Sequence, residues 1–108
     1  MTAQDLSIAD NEDKEIAPGI VARDLHFNIS ANPKRHWFGG DPMQTAVVDA
    51  FSIFLPVGER FFIRALKHYA NTAGDEELTA EIRGYAVQEA YHTREHEDYN
   101  RSLADLGY

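Results

Sequence analysis

The sequence ANTAGDEELTA, residues 70–80, has the features of a tight turn between two long helices. Gly74 is typical of helix C-termini, where the backbone adopts a positive φ. Asp75 is a favourable N-cap residue. Glu76 and Glu77 follow it in the first turn, where the helix dipole stabilises acidic side chains. One helix is therefore predicted to end before Gly74 and another to begin at about residue 76.

The segment before this turn is predicted to be helical from Asp41-Pro42 to about Ala73. An N-cap acid followed by proline at the first helical position is typical of a helix start. Pro56 lacks the amide hydrogen that would bond the carbonyl four residues earlier, so a kink near residues 55–58 is predicted. We do not expect a break, because the apolar pattern continues on both sides of the proline.

The segment after the turn is predicted to form a second helix from about residue 76 to 106, ending near Gly107. Because the chain reverses at Gly74-Asp75, the numbers of two facing residues should sum to about 149. The predicted fold class is all-α, a long antiparallel helical hairpin over residues 42–108. An extended lead and loop over 16–41 and an acidic disordered tail over 1–15 precede it.

The lead segment shows the alternation of an extended chain that lies against an apolar surface. Its apolar residues of one parity are Val21, Leu25, Phe27 and Ile29. The loop that follows, residues 31–42, is rich in proline and glycine. Trp37 and Phe38 are expected to pin this loop to the helices.

The charge and composition exclude several classes of protein. The net charge is −8, with 18 acidic residues against 10 Lys and Arg, and no cysteine is present. No basic stripe exists, so we expect no nucleic-acid partner. Disulfides and thiolate metal sites are excluded. No secretory signal and no apolar run of about 20 residues are found, so we expect a cytoplasmic protein without a membrane span.

Three neighbouring positions on the apolar face of the second helix are polar. Alternating steps of four and three residues define this face: Leu78, Ile82, Tyr85, Glu89, His92, His96, Tyr99, Leu103 and Leu106. Glu89, His92 and His96 lie within about 60° of one another on an ideal helix. A heptad-like face of this kind is predicted to pack against another helix.

The first helix has a matching face with one charged residue. Its members are Val48, Ser52, Leu55, Glu59, Phe62, Leu66, Tyr69 and Ala73. The predicted register places Glu59 opposite about residue 90, level with Glu89 and His92. Four ionisable residues are therefore expected at one height between the helices.

Two buried carboxylates without a positive partner cost several kcal/mol, because desolvation and like-charge repulsion add. A divalent metal would compensate them, and carboxylates with imidazoles are ligands of iron, manganese and zinc. Ligation rich in carboxylates and free of sulfur favours iron, with manganese and zinc as alternatives. The predicted metal ligands are Glu59, Glu89, His92 and His96. The competing interpretation is a buried ion-pair network, in which Glu59 pairs with Arg60 or Arg64.

Two motifs resemble a bacterial family known as predicted metal-dependent hydrolases. They are Pro-x-Gly-Glu-Arg-Phe-Phe at residues 56–62 and Gln-Glu-x-x-His-x-x-x-His at residues 88–96, and the similarity covers about residues 20–108. The resemblance implies a ferritin-like di-metal carboxylate bundle. In it Glu59 would be the lone glutamate, Glu89 and His92 the Glu-x-x-His pair, and His96 an extra ligand or a close neighbour.

The resemblance covers only the N-terminal half of such a bundle. We expect either a truncated chain or a homo-oligomer, a dimer whose second copy completes the bundle. The implied function is metal-dependent hydrolysis of an unidentified small molecule, with no catalytic residue beyond the ligands. The alternatives are a di-iron oxygenase or oxidoreductase acting on an organic substrate, and a non-catalytic helical hairpin that binds metal and dimerises.

Overall fold

Two long antiparallel helices dominate the structure, a computed structural model that describes residues 14–17 and 19–108. Helix α1 spans Pro42–Ala70 and helix α2 spans Glu76–Asp105, and the two pack along their length. This confirms the all-α hairpin with a short lead. No helix in the described part of the chain is both long enough and apolar enough to cross a membrane.

The helix ends follow from local capping. The Asp41 carboxylate accepts a hydrogen bond from the backbone N–H of Gln44, and Pro42 is the first residue of α1. The Asp75 carboxylate accepts from two backbone amides of the first turn of α2. Gly74 has a φ of +69°, a conformation that costs glycine little. Both predicted N-caps are confirmed, although α1 ends three residues before the predicted position at Ala73.

The helix interior passes through Pro56 without interruption. The prediction that this proline would not break the helix is therefore confirmed. The predicted register between the helices is confirmed as well. Tyr99 donates a hydrogen bond to the carboxylate of Asp49, and the Ser52 hydroxyl lies 3.0 Å from Nδ1 of His96.

The residues buried in the two helices are mostly small or polar. In α1 they are Thr45, Asp49, Ser52, Pro56, Glu59 and Ala70, and in α2 they are Gly84, Ala86, Glu89, Tyr91, Thr93, Ser102 and Leu103. Small side chains at the contact allow two helices to approach closely.

Four apolar residues assigned to the inner faces are exposed instead: Phe62, Tyr69, Leu78 and Tyr85. The prediction that they pack between the helices is wrong. Two helices can cover only a narrow strip of each other's surface, so large side chains beside that strip stay outside it.

Helix α1 exposes most of its large apolar side chains. They are Met43, Val47, Phe51, Ile53, Phe54, Val57, Phe61, Phe62 and Tyr69. We call this set the apolar surface of α1. An exposed apolar surface of such extent is typical of an association site.

The lead segment begins with two short strands, β1 at Lys14–Ala17 and β2 at Ile20–Ala22, which pair antiparallel. Lys14 and Glu15 therefore lie in a strand, although both were assigned to the disordered tail 1–15. The rest of that predicted tail lies outside the described residues.

After β2 the lead runs along α2 and is fixed to it by polar contacts. Arg94 Nη1 lies 2.6 Å from the Asp24 carboxylate, which is buried at 2% exposure. The backbone N–H of Phe27 donates to the Glu95 carboxylate. The Ser30 hydroxyl, in the 3-10 turn at Ile29–Ala31, donates to the carboxylate of Asp98.

The loop before α1 is held by its aromatic residues. Trp37 Nε1 donates to the Asp49 carboxylate at 3.1 Å, and the Trp37 ring contacts Tyr99 edge-to-face. The backbone N–H of Phe38 donates to the Thr45 hydroxyl. The prediction that this loop is pinned to the helices is confirmed.

Candidate metal centre

Three of the four predicted ligands converge between the helices. Glu59 comes from α1, and Glu89 and His92 come from α2. One ligand atom from each of these residues lies within 4.8 Å of the other two. Glu89 and His92 share a helix face because three residues separate them. The hairpin register brings Glu59 to the same height.

Burial differs sharply within this group. Glu59 is 5% exposed and Glu89 is 7% exposed, whereas the His92 side chain is 65% exposed. The carboxylates therefore lie inside the hairpin, and the imidazole lies at its surface. A ligand or a second chain can reach the group from the side of His92.

The groups around Glu59 do not fully compensate for the burial of its carboxylate. Burial raises the pKa of Glu59, and the charge of Glu89 raises it further. A hydrogen bond donated by the Thr93 hydroxyl at 3.1 Å and the imidazoles of His96 and His92 act in the opposite direction. The raised pKa shows that the ionised form of Glu59 is held at a cost in the protein without a cation.

Tyr85 lies one helical turn before Glu89 on α2. The charge of Glu89, together with partial burial and a hydrogen bond between the two side chains, raises the pKa of Tyr85. The phenol therefore remains a proton donor beside the Glu89 carboxylate. The sequence places Tyr85 on the apolar face of α2 directly before the predicted ligands.

His96 stays outside the group of three. It is half-buried, and its Nδ1 lies 3.0 Å from the hydroxyl of Ser52. It still acts electrostatically on Glu59, whose pKa it lowers. Its assignment as a metal ligand remains a prediction.

Neither arginine proposed as the ion-pair partner of Glu59 is placed to neutralise it. Arg60 pairs with Glu97 across the hairpin, and Arg64 is exposed. The groups that lower the pKa of Glu59 are the Thr93 hydroxyl and the imidazoles of His96 and His92, and no arginine is among them. The remaining histidines, His26, His36 and His68, are exposed.

Two cavities flank His92, and sequence reasoning missed both. One has a volume of about 330 Å³ and lies beside His92, His96 and Trp37. The other has a volume of about 380 Å³ and lies between the lead segment and α2, beside His92 and Arg23. The prediction that Val21, Leu25, Phe27 and Ile29 lie against an apolar surface is wrong, because all four are exposed at the rims of these cavities. The lead contacts α2 through the opposite parity, where Ala22 and the side chain of Asp24 are buried.

The donor set fits a divalent metal. Two carboxylates and one imidazole are ligands that iron, manganese and zinc accept. The two formal negative charges of Glu59 and Glu89 equal the charge of such an ion, so binding it would remove the repulsion between them.

Residues 21–108, most of the chain, match the family described as predicted metal-dependent hydrolase. The chain belongs to the predicted metal-dependent hydrolase family. The resemblance of the two sequence motifs is thereby confirmed. Searches among curated proteins and among solved structures gave no match. Membership of a metal-dependent family agrees with the one group of candidate metal ligands found among the described residues.

Proposed function

We propose that this chain binds a divalent metal through Glu59, Glu89 and His92 and serves the hydrolysis of a small-molecule substrate. His96 is proposed as a further ligand or as a close neighbour of the metal. The convergence of two buried carboxylates and an imidazole within 4.8 Å carries this proposal. The family of the chain supports it independently.

The chain's own residues prepare this site. The Thr93 hydroxyl fixes the Glu59 carboxylate, and the Tyr85 phenol lies beside Glu89. A divalent ion held by Glu59, Glu89 and His92 would supply Lewis acidity, which polarises a carbonyl or phosphoryl group and lowers the pKa of water. The exposed His92 leaves the site open to substrate.

The donors favour iron, with manganese and zinc as alternatives. Carboxylate oxygens outnumber nitrogen donors in the group, and the chain contains no cysteine. Zinc and copper sites more often include thiolates or several imidazoles, whereas carboxylate-rich sites suit iron and manganese.

We further propose that the hairpin is half of a ferritin-like four-helix bundle and that a second copy completes it. Di-metal bundles combine one glutamate from each of two helices with a Glu-x-x-His pair from each of the other two. One hairpin supplies one glutamate and one such pair, so two copies supply the full set. The exposed apolar surface of α1 and the exposed His92 support an assembly of this kind.

The same ligand set would also serve di-iron oxygen chemistry on an organic substrate, or iron storage without turnover. Its Glu-x-x-His spacing is the observation that favours these candidates. Reconstitution with Fe²⁺, Mn²⁺ or Zn²⁺ separates them when ester hydrolysis and oxygen consumption are measured together.

Hydrolysis without oxygen consumption would support the proposed function. Oxygen consumption with an oxidised organic product would support the oxygenase, and iron oxidation without a product would support storage. Glu59→Gln should abolish whichever activity is found, whereas Glu81→Gln, at an exposed position of α2, should retain it. Full activity in Glu59→Gln would contradict the shared site.

A further inference from the structure

The cavity of about 330 Å³ beside the candidate metal centre has one apolar wall and one polar wall. The lead and the loop that follows it supply Phe27, Ile29 and Trp37, and α1 supplies mostly apolar side chains. The two imidazoles that line it, His92 and His96, come from α2. Among the described residues that line the cavity, the only carboxylate is that of Glu95, which is bound by Arg94.

The walls of this cavity are held in place before any ligand arrives. The contact between Asp24 and Arg94, and the hydrogen bond from Phe27 to Glu95, fix the lead to α2. Trp37 is fixed by its hydrogen bond to Asp49. A preformed apolar pocket with a few convergent polar groups is the usual form of a small-molecule site.

We propose that this cavity binds the apolar part of the substrate, an alkyl chain or aromatic ring, and directs one polar reacting group towards His92. The proposal rests on the proposed function for the identity of the reacting end. The volume corresponds to roughly eleven groups the size of a water molecule, at about 30 Å³ each. A chain of eight carbons or a bicyclic ring therefore fits, whereas a second helix does not.

The single tryptophan of the chain lines this cavity, so its fluorescence reports on occupancy. The probes are neutral 1-alkanols from 1-butanol to 1-octanol, titrated into the purified chain. Each added methylene should tighten Kd about fourfold, since burying one methylene contributes about 0.8 kcal/mol. The emission of Trp37 should move to shorter wavelength at saturation. A Kd independent of chain length would overturn the proposal.

Phe51 and Phe54 provide a matched pair on α1. Their exposures are 66% and 67%, but only Phe51 lines the cavity. Phe51→Ala should weaken 1-octanol binding severalfold, and Phe54→Ala should leave it within about twofold. Equal losses in the two variants would show general adsorption to the apolar surface of α1 and overturn the proposal.

A third variant tests the cavity by adding a side chain instead of removing one. Val48→Phe adds bulk to the cavity wall, so it should weaken 1-octanol more than 1-butanol. Equal affinity of Val48→Phe and wild type for 1-octanol would count against the cavity as the binding place. Glu59→Gln should bind the alkanols as wild type does, because Glu59 does not line the cavity. Alkanol binding therefore tests the cavity independently of the metal site.

A second inference comes from the hydrogen bonds around His96. The carbonyl oxygen of Ser52 can only accept, so the atom of Asn100 that lies 3.0 Å from it is the amide nitrogen. Asn100 therefore presents its oxygen to the Ser52 hydroxyl, which donates its single hydrogen to it at 2.8 Å. The Ser52 oxygen can then only accept from Nδ1 of His96.

We infer that Ser52 and Asn100 are positioning residues that hold neutral His96 as the Nδ1–H tautomer. In this form Nε2 carries the free lone pair. An imidazole binds a metal or a proton only through its unprotonated nitrogen, and the bond made by the other nitrogen selects which one that is. The inference concerns the imidazole itself and does not require a metal to be bound.

Nitrogen NMR of the histidine rings in metal-free protein tests this directly, at alkaline pH where imidazoles are neutral. Wild type should show only the Nδ1–H form of His96. Ser52→Ala and Asn100→Ala should each give a mixture of tautomers. Ser102→Ala, which removes a buried hydroxyl of α2 that does not contact His96, should leave the single form unchanged.

A wild-type signal from the Nε2–H form would overturn this inference. The same change in Ser102→Ala as in Ser52→Ala would do so too, because it would show a general response to a lost hydroxyl. Unchanged ring signals of His92 in all three variants would show that the fold is retained.

Discussion

Replacing Glu59 by glutamine should stabilise the protein in the absence of metal. Glu59 is 5% exposed, and its carboxylate lies within 4.8 Å of a ligand atom of Glu89. At an effective dielectric constant of about 20, two unit charges at this distance repel by about 3.5 kcal/mol. The amide of glutamine removes this repulsion and keeps an oxygen that accepts from the Thr93 hydroxyl.

The expected gain is smaller than the repulsion alone. The imidazoles of His96 and His92 and the hydrogen bond from Thr93 already offset part of the cost, as their effects on the pKa of Glu59 show. We therefore expect the free energy of unfolding to rise by about 1–2 kcal/mol near neutral pH, about half or less of the repulsion between the two bare charges. For a domain of this size the midpoint of thermal unfolding should rise by about 4–10 °C.

The gain should depend on pH in a defined direction. Because the folded state raises the pKa of Glu59 above its ordinary value of 4.5, the folded protein holds this proton more tightly than the unfolded chain. Below pH 4.5 the carboxyl is protonated in both states, so wild type and Glu59→Gln should differ little. As pH rises from 4.5 through the raised pKa, the cost grows in wild type and is absent in the variant.

A saturating metal should reverse the order of stability. Metal at about 100 times its Kd stabilises the protein that binds it by about 2.7 kcal/mol, and Glu59→Gln should lose most of this term. Thermal unfolding followed by circular dichroism, with a chelator and then with Mn²⁺ or Zn²⁺, measures both effects. Glu81→Gln, at an exposed position, is the control. A variant less stable than wild type in chelator would refute the reasoning.

Three further changes probe the rest of the fold. Burial and the hydrogen bond to the Asp49 carboxylate hold the pKa of Tyr99 far above its usual value. Tyr99→Phe removes this hydrogen bond and should cost about 1–2 kcal/mol in urea unfolding. Asp75→Ala removes the N-cap of α2 and should cost about 1 kcal/mol in the same assay. The double change Phe54→Ser and Phe61→Ser on the apolar surface of α1 should convert the expected dimer to monomer in sedimentation experiments.

Each of these changes has a control at an exposed position. Tyr108→Phe and Asp105→Ala should alter unfolding by less than about 0.5 kcal/mol, and Arg64→Ser should leave the assembly state unchanged. Equal losses in Tyr99→Phe and Tyr108→Phe would argue against a role for the bond to Asp49. A folded wild-type chain that is monomeric at all concentrations would contradict the proposed assembly.

The sequence allowed the hairpin and the core of the candidate site to be predicted because both depend on local signals. Asp41 and Asp75 cap their helices through contacts within one turn. The periodicity of α2 places Glu89 and His92 on one face, and the position of the turn at Gly74 then sets Glu59 opposite them. None of these inferences requires knowledge of side chains distant in sequence.

The features that could not be predicted depend on distant or directional contacts. Arg94 fixes the lead segment through Asp24, a residue 70 positions away. The bond between Ser52 and His96 depends on which hydrogens the neighbouring groups use. The exposure of Phe62 could not be read from periodicity, because that pattern marks a face for burial without identifying what covers it.

The metal content of the purified chain tests the central proposal most directly. Wild type, Glu59→Gln, His92→Ala and the exposed control His68→Ala are incubated with Fe²⁺, Mn²⁺ or Zn²⁺, freed of unbound ions and analysed by elemental mass spectrometry. Wild type and His68→Ala should retain equal amounts of one of these metals, while Glu59→Gln and His92→Ala should lose most of it. Equal retention by all four proteins would contradict a metal site shared by Glu59 and His92.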